Sequence, residues 1–580
     1  MERQRDSRRL QACALVAAAL VPLLAASAFR QPASWTVNGS PNRSRSQPAA
    51  LTAAQWKEDL QYLVATVKAV HPAPFHRVPE AEMDRAVATL SREIPRLSDR
   101  QIVVRMMGIV ALLNDGHSGV IPAPVFKMDH SYPIRLDRFA DGIYIVAARP
   151  DMQSIIGAHV TMIGIRSAAS VWDSISVVAS GDNVYSRWGN VPLLLTAPET
   201  MEGLGLSRAD SLVLTVVRAD GTTTRVAVAA VAAPFDMQWV SAGWDGPAGA
   251  VAHLNTTSLV EQHRRAPYWF AQVGGMLYAQ INQVNDSRDT VPLGADRAVV
   301  TLDGLAQRLL ERVEAGGADR LVLDLRFNGG GNNRLTRSFV QRLSASTAIN
   351  QKGHLFVITG RRTYSAAMNF TSLLEDRTAA LFVGEPPGGT PSHYGDATGF
   401  TLPQSKMTFR VSTLHWDIGV QPSDVREAME PDLPAPPTYA QLRAGTDAPL
   451  DAIARYRDGD RLSDRLLARY QQAGLDSAMA LYDAQRASPV VEAPWRSDVQ
   501  QLLKFVDGVI SRATTRAVIF RALTFVTERY PDSPEAWFEL ARVHAFVGDW
   551  PEVLRAYSRA RRLRPQNDLI RRGFEAARRR

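Results

Sequence analysis

Two stretches decide how this chain reads: Leu321–Arg337, LVLDLRFNGGGNNRLTR, and Leu355–Leu374, LFVITGRRTYSAAMNFTSLL. Each begins as a short apolar run of strand character, breaks at a polar turn and opens into a helix-period pattern. The first turn carries Gly329-Gly330-Gly331, whose bare backbone lets another group approach and offers N–H donors. The second sets one hydroxyl, Ser365, at the mouth of a helix, where unpaired amides and the dipole favour developing negative charge. A serine beside a donor-rich glycine turn is the minimum apparatus for acyl transfer. Each half alone has a plainer reading. Serine is a common helix N-cap, and glycine triplets after strands are often only turns. No Lys-Ser/Thr pair follows the glycines, which argues against a phosphate-binding loop. The setting of Ser365, Thr-Tyr-Ser-Ala-Ala, also lacks the GxSxG elbow of serine esterases.

Working outward, DLRFNGGG, TYSAAMNF and VGEPPGG are preceded by HPAPF at His71–Phe75 and ALLNDGHSG at Ala111–Gly119. In this order the motifs resemble the tail-specific (C-terminal processing) peptidases and the tricorn core proteases, over roughly residues 50–450. The resemblance implies a multidomain α/β protein with a crotonase-like (ClpP/crotonase) peptidase core, a helical N-terminal domain and a PDZ-like β insert. It also implies serine peptidase chemistry on a peptide or protein substrate, with no metal and no organic cofactor.

The family uses two kinds of base to activate its serine. The C-terminal processing enzymes use a lysine from the loop that reads here Gly384–Thr390, and the matching position is Thr390, which cannot serve. Lys406 is the only lysine between Ser365 and the end of the core, and it falls on a hairpin pattern. The tricorn type uses an upstream histidine, matched here by His117 in NDGHSG, a residue able to act as base and then acid near neutrality. The orienting acid of that type lies some sixty residues after the serine, which points to Asp424, with Asp115 second and Glu427 third. The oxyanion hole is expected from the backbone N–H of Gly329 or Gly330 together with that of Ala366. Asp324 and Arg326, at a buried strand end, read as supports of the glycine loop. One departure favours an alternative. The family commonly has a glutamate three residues after the serine, and this chain has Met368 and then Asn369. The alternative is a catalytically weak or inactive peptidase-fold protein that binds peptides or a hydrophobic ligand.

At 580 residues with 46% apolar content the chain is long enough for several domains. Residues 1–28 read as a signal peptide: basic MERQRDSRRL, an apolar stretch from Gln11, and small residues Ala26-Ser27-Ala28. The expected location is therefore exported, periplasmic or secreted, with membrane attachment only if this segment stays uncleaved. The single cysteine, Cys13, lies inside it, so a cleaved chain carries no thiol for disulfides or metal. The net charge of +8 is local: residues 555–580 hold ten arginines against Asp568 and Glu575, which alone gives +8. The remainder is near neutral, and with an export signal no nucleic-acid partner is expected.

The expected order is a linker over 29–50 and a helical N-terminal domain over 51–125 carrying NDGHSG. A PDZ-like domain follows over 132–235, where alternating residues and a hairpin at Asp220-Gly221 mark strands. A purely structural β insert is the other reading of that segment. The catalytic core spans 236–440, its strands LVLDLR, LFVITG and AALFVG fully apolar, as in a sheet covered on both faces. A helical connector occupies 441–514. Over 515–580, Trp537, Leu540, Ala541, Tyr557, Ala560 and Pro565 match a tetratricopeptide-like repeat, whose expected role is to dock a protein partner. Thr52 is expected to cap the first helix of the N-terminal domain without a capping-box acid.

Overall fold

The structure, a computed structural model, describes residues 51–121, 130–208, 210–232, 252–253, 259–261, 263, 266–286, 301–417, 425–487, 498–513 and 515–580. It is a multidomain α/β protein with several sheets. At its centre six strands lie in the order Leu433–Pro434, Leu381–Gly384, Leu355–Thr359, Arg320–Asp324, Met276–Ile281 and Tyr268–Val273. All neighbours are parallel except the outermost pair, where Tyr268–Val273 runs antiparallel to Met276–Ile281.

The apolar strands behave as a sheet covered on both faces must. Leu321, Leu323, Leu355 and Val357 point into one core, under helices Leu302–Glu314, Thr336–Ala345 and Ala366–Arg377. Their sequence neighbours Val322, Phe356 and Ile358 point into a second core with Ile453 and Tyr456. Period-two alternation thus survives in runs with no polar residue to reveal it. The amphipathic stretch LDGLAQRLLERVE forms the helix Leu302–Glu314, and Gly316 follows it with φ +76°.

Three helices open the described residues: Ala53–Val70, Glu80–Glu93 and Asp99–Ala111. The first begins with a full capping box, because Gln55 takes the place of the acid: Thr52 accepts from Gln55 N while the Gln55 side chain accepts from Thr52 N. Residues 134–229 carry an antiparallel sheet in the order Ile134–Phe139, Gly142–Ala148, His159–Ile163, Ser211–Val217, Thr223–Ala229. Its last two strands pair through the expected turn, with Gly221 at φ +81°. Helices Ala168–Ser176 and Val184–Leu195 pack on this sheet.

A hairpin, Thr398–Thr401 with Thr408–Val411, joins the core to the N-terminal helices. Buried Asp59 accepts from Gln404 N at 2.7 Å and Ser405 N at 2.8 Å, fastening the hairpin turn to the first helix. The other edge of the hairpin takes up Gly119–Ile121 as a third strand, Gly119 opposite Arg410. That pairing fixes the loop just before it, which contains His117. The C-terminal helices from Leu462–Arg486 to Asp568–Arg578 share one core, so the segments expected as connector and as repeat pack together. Arg564 ties them to the segment after residue 424, donating to Val425 O at 2.9 Å and pairing with Glu427 at 2.6 Å. No helix among the described residues is long and apolar enough to cross a membrane.

Candidate active site

Ser365 stands between the strand Leu355–Thr359 and the helix Ala366–Arg377 with φ 56° and ψ −127°. A non-glycine residue pays on the order of 1–3 kcal/mol to sit in such a region, so the surroundings must hold it there. They do: Thr363 Oγ1 donates to Leu325 O at 2.8 Å, Gly360 N donates to Thr363 Oγ1, and Tyr364 N donates to Asn328 O at 3.0 Å. Ser365 occupies the N-cap position yet makes no side-chain cap bond. Its hydroxyl turns instead to His117, with Oγ 2.9 Å from Nε2. The plain capping reading therefore fails, and the reason is the backbone twist, which swings the side chain off the helix axis.

The glycine loop lies against the same turn. Gly330 has φ +113°, and a Cβ there would meet Ser365 Cβ at 2.8 Å and Ala366 N at 3.0 Å. Gly330 N itself donates to Asn328 Oδ1 at 2.9 Å. Of the amides expected to bind an oxyanion, Gly330 N–H is thus already engaged, and Gly329 and Ala366 are the pair left to consider. Ala366 is the first residue of its helix, where an N–H has no intrahelical acceptor. Gly329 and Gly330 line a cleft of about 560 Å³ together with Gly116, Asn282, Arg362 and Tyr364.

His117 follows the helix Asp99–Ala111 through a tight turn in which Asn114 has φ 50°. Buried Asp115 organises this turn, accepting from His117 N at 2.9 Å and from Ser118 Oγ at 2.5 Å, with His71 Nε2 at 3.4 Å. Burial pushes the Asp115 carboxyl up, but hydrogen bonds from His71, Ser118, Ser412 and the His117 amide outweigh it and hold the group at about 2. Its nearer oxygen is 4.0 Å from His117 Nδ1, so Asp115 braces the loop without bonding the ring. Burial lowers the His117 pKa below the ordinary imidazole value, against the pull of Asp115 and the Tyr394 carbonyl, which keeps the ring neutral and free to accept a proton. The antiparallel pair Ser392–Gly395 and Leu414–Asp417, which carries Gly395 and Trp416, packs over the ring, and His393 stacks on it at 5.9 Å between centroids.

The group at His117 Nδ1 is one that the sequence did not single out. Tyr364 Oη lies 3.0 Å from Nδ1, with the two rings 4.7 Å apart and 29° from parallel. The same Oη donates to Asp182 Oδ1 at 2.8 Å. Gly116 N donates to that oxygen at 2.8 Å, and Thr390 N lies 3.4 Å from Oδ2. Burial, then repulsion from Asp115, raises Asp182 to about 7 despite these donors. Asp182 is held in place by its neighbour Asn183, which caps the helix Val184–Leu195 and donates to Pro387 O at 3.1 Å and Glu427 O at 3.2 Å. Tyr364 sits inside the serine motif, adjacent to the residue of interest. Asp182 carries no sequence signal, being one acid in a Ser-Gly-Asp-Asn turn.

The other expected residues fall as follows. Asp424 lies outside the described residues. Glu427 pairs with Arg564 and with Arg77, at 3.6 Å, instead of turning to His117. Thr390 is buried and donates its hydroxyl to Ser392 O at 2.6 Å. Lys406 caps the hairpin turn, Nζ to Pro403 O at 2.6 Å. Arg326 bridges Asp324 at 2.8 Å and Asp447 at 2.9 Å beneath the glycine loop, a support as expected. Met368 is fully buried in the core, its side chain against Gly389. Among the described residues no group of three His, Cys, Asp or Glu side chains is arranged to hold a metal ion.

No family model matches the chain, and no curated protein is similar to it. Among solved structures, it is similar to mature CPAF complexed with lactacystin, with TM-score 0.48 and 13% identity, covering 69% of this chain and 98% of that one. It is also similar to the photosystem II D1 C-terminal processing protease, with TM-score 0.31 and 13% identity, covering 69% of this chain and 99% of that one. For the tricorn protease the TM-score is 0.31 and the identity 14%, over 69% of this chain and 36% of that one.

Proposed function

We propose that the chain is an exported serine-type peptidase that cleaves peptide bonds through an acyl-enzyme, with Ser365 as nucleophile and His117 as base. The observation that carries this reading is the 2.9 Å approach of Ser365 Oγ to His117 Nε2, made by a serine whose strained backbone turns it away from capping. In this reading Oγ attacks the scissile carbonyl carbon as its proton passes to Nε2. The carbonyl oxygen becomes an oxyanion facing the amides of Gly329 and Ala366. Collapse breaks the C–N bond, and Nε2 returns the proton to the leaving amine. Water then attacks the ester by the same route and frees Ser365. The six-stranded region serves as a crotonase-like core. The antiparallel insert, as a PDZ-like module, would hold an extended peptide by strand addition. The C-terminal helices, as a tetratricopeptide-like repeat, would dock a protein partner.

The binding-protein alternative drew on Met368. Met368 is fully buried with its side chain against Gly389, where an acid would place a carboxylate in the apolar core. The test is labelling of the full chain by a fluorophosphonate, beside Ser365→Ala and His117→Ala. Labelling that needs both residues supports the peptidase reading; a folded wild type that stays unlabelled favours the binding protein.

A further inference from the structure

We propose that Tyr364 and Asp182 form a positioning relay for His117, in which Nδ1–H donates to Tyr364 Oη and Tyr364 in turn donates to the Asp182 carboxylate. The proposal rests on the peptidase reading above and names the residues that set the tautomer of its base. The argument is one of hydrogen counting. A phenol has one proton. At 2.8 Å from an Asp182 oxygen that also accepts Gly116 N–H, that proton belongs to the carboxylate. The lone pairs of Oη then face Nδ1 at 3.0 Å, which obliges Nδ1 to carry the imidazole proton. Nε2 is left bare towards Ser365 Oγ, the tautomer that a general base requires.

No proton travels along this chain. The Tyr364 phenol is held far above its ordinary range by burial and by the neighbouring Asp182, so it stays O–H throughout. As His117 gains the proton of Ser365, the ring becomes an imidazolium, and the relay answers its charge with a carboxylate one residue removed. Asp115 cannot replace it, since its oxygens are spent on the loop amide, Ser118 and His71.

The relay also has a built-in off state. When Asp182 takes up a proton, the Tyr364 hydroxyl is released to turn towards Nδ1, and the ring proton then moves to Nε2, where it blocks attack. The charged and titratable groups facing Asp182 are Asp115, which repels its carboxylate, Arg77, which attracts it, and Tyr364 and His117 in the relay itself. With Asp182 at about 7, this transition falls in the neutral range, above the titration of His117.

The experiment measures the fluorophosphonate labelling rate from pH 5 to 9 for the full chain and for Tyr364→Phe, Asp182→Asn and the double variant. Tyr364→Phe keeps the ring and is expected to slow labelling on the order of 100-fold, the low end of what a well-placed base contributes. Both single variants are expected to lose the acid step near 7 and to follow His117 alone at lower pH. In the Tyr364→Phe background, Asp182→Asn is expected to cost under about threefold more, since the link is already cut. Full additivity of the two would mean that Asp182 only scaffolds Gly116 and Thr390, and would overturn the relay. Wild-type labelling and pH profile in Tyr364→Phe would also overturn it, leaving Nδ1 to another acceptor such as the Tyr394 carbonyl. The ring-nitrogen shifts of ¹⁵N-histidine protein, with His117→Gln to assign the signals, give a readout independent of catalysis. The relay predicts a proton on Nδ1 at pH 8 that is lost or redistributed in Tyr364→Phe, and an unchanged tautomer would refute it. If Ser365→Ala still labels, the peptidase reading fails, and the nitrogen shifts judge the relay separately.

Discussion

Gly330 lies so close to Ser365 that a single added carbon would stand 2.8 Å from the serine Cβ. The contact joins the two stretches that decide this chain, the glycine turn after one strand and the serine turn after the next. It also explains why a glycine is needed there: the position has φ +113° and its neighbour is backbone and Cβ, not a flexible side-chain tip.

Gly330→Ala is expected to abolish fluorophosphonate labelling and to destabilise the fold by about 1–3 kcal/mol, from overpacking and a disfavoured φ. Gly329→Ala is the control for stability alone, because nothing lies within 4 Å of a Cβ at that position. Thermal melts of the two variants should differ by several degrees. Equal melting temperatures would show that the turn yields to a methyl group.

Asp182 gives a stability signature of its own. Its carboxyl binds a proton more tightly folded, at about 7, than unfolded, near 3.8. Folding is therefore favoured most below about 4, and that contribution is lost as pH rises to about 7. A shift of this size amounts to on the order of 4 kcal/mol. Asp182→Asn lacks the titration, so its melting temperature relative to wild type should rise between pH 4 and 8. A difference constant across that range would place the Asp182 pKa at its ordinary value.

Asp115 should behave in the opposite sense. Its folded pKa of about 2 lies below the unfolded value of 3.8, so its stabilisation is present above about 4 and lost as pH falls towards 2. Asp115→Asn is expected to cost about 2 kcal/mol at pH 7 and progressively less below pH 4. Because the same carboxylate sets the His117 loop, labelling should fall along with stability. Intact labelling in a destabilised Asp115→Asn would separate the loop from the site.

The basic C-terminus is expected to be partly structural. Arg564 is buried and holds Val425 O and Glu427, so Arg564→Ala should lower the stability of the C-terminal helices by about 1–3 kcal/mol. Limited proteolysis would report it as earlier cleavage after residue 460, with Ser365 labelling unaffected. A variant as resistant as wild type would mean that the helices are held by their apolar core alone.

Much of the fold was legible from local pattern. The apolar strands at 321, 355 and 381, the amphipathic helix at 302 and the Asp220-Gly221 hairpin follow from periodicity and turn chemistry, which act over a few residues. The Thr52 cap was legible as a cap but not as a box, since glutamine does the work that was sought in an acid. Ser365 and His117 were legible as candidates by motif, and they meet at 2.9 Å although 248 residues separate them.

What the sequence determined by itself was therefore the set of elements and the two groups facing each other, because strand and helix signals and residue chemistry are local properties. Tertiary structure alone decided the conformation of Ser365, the engagement of Gly330 N–H by Asn328, and the passage from His117 through Tyr364 to Asp182. Those depend on where a helix N-terminus at 183, a loop at 384–390 and a turn at 115 converge, and on how far burial moves a carboxyl. An aspartate in a Ser-Gly-Asp-Asn turn reads as a solvated surface group until packing removes the water from it.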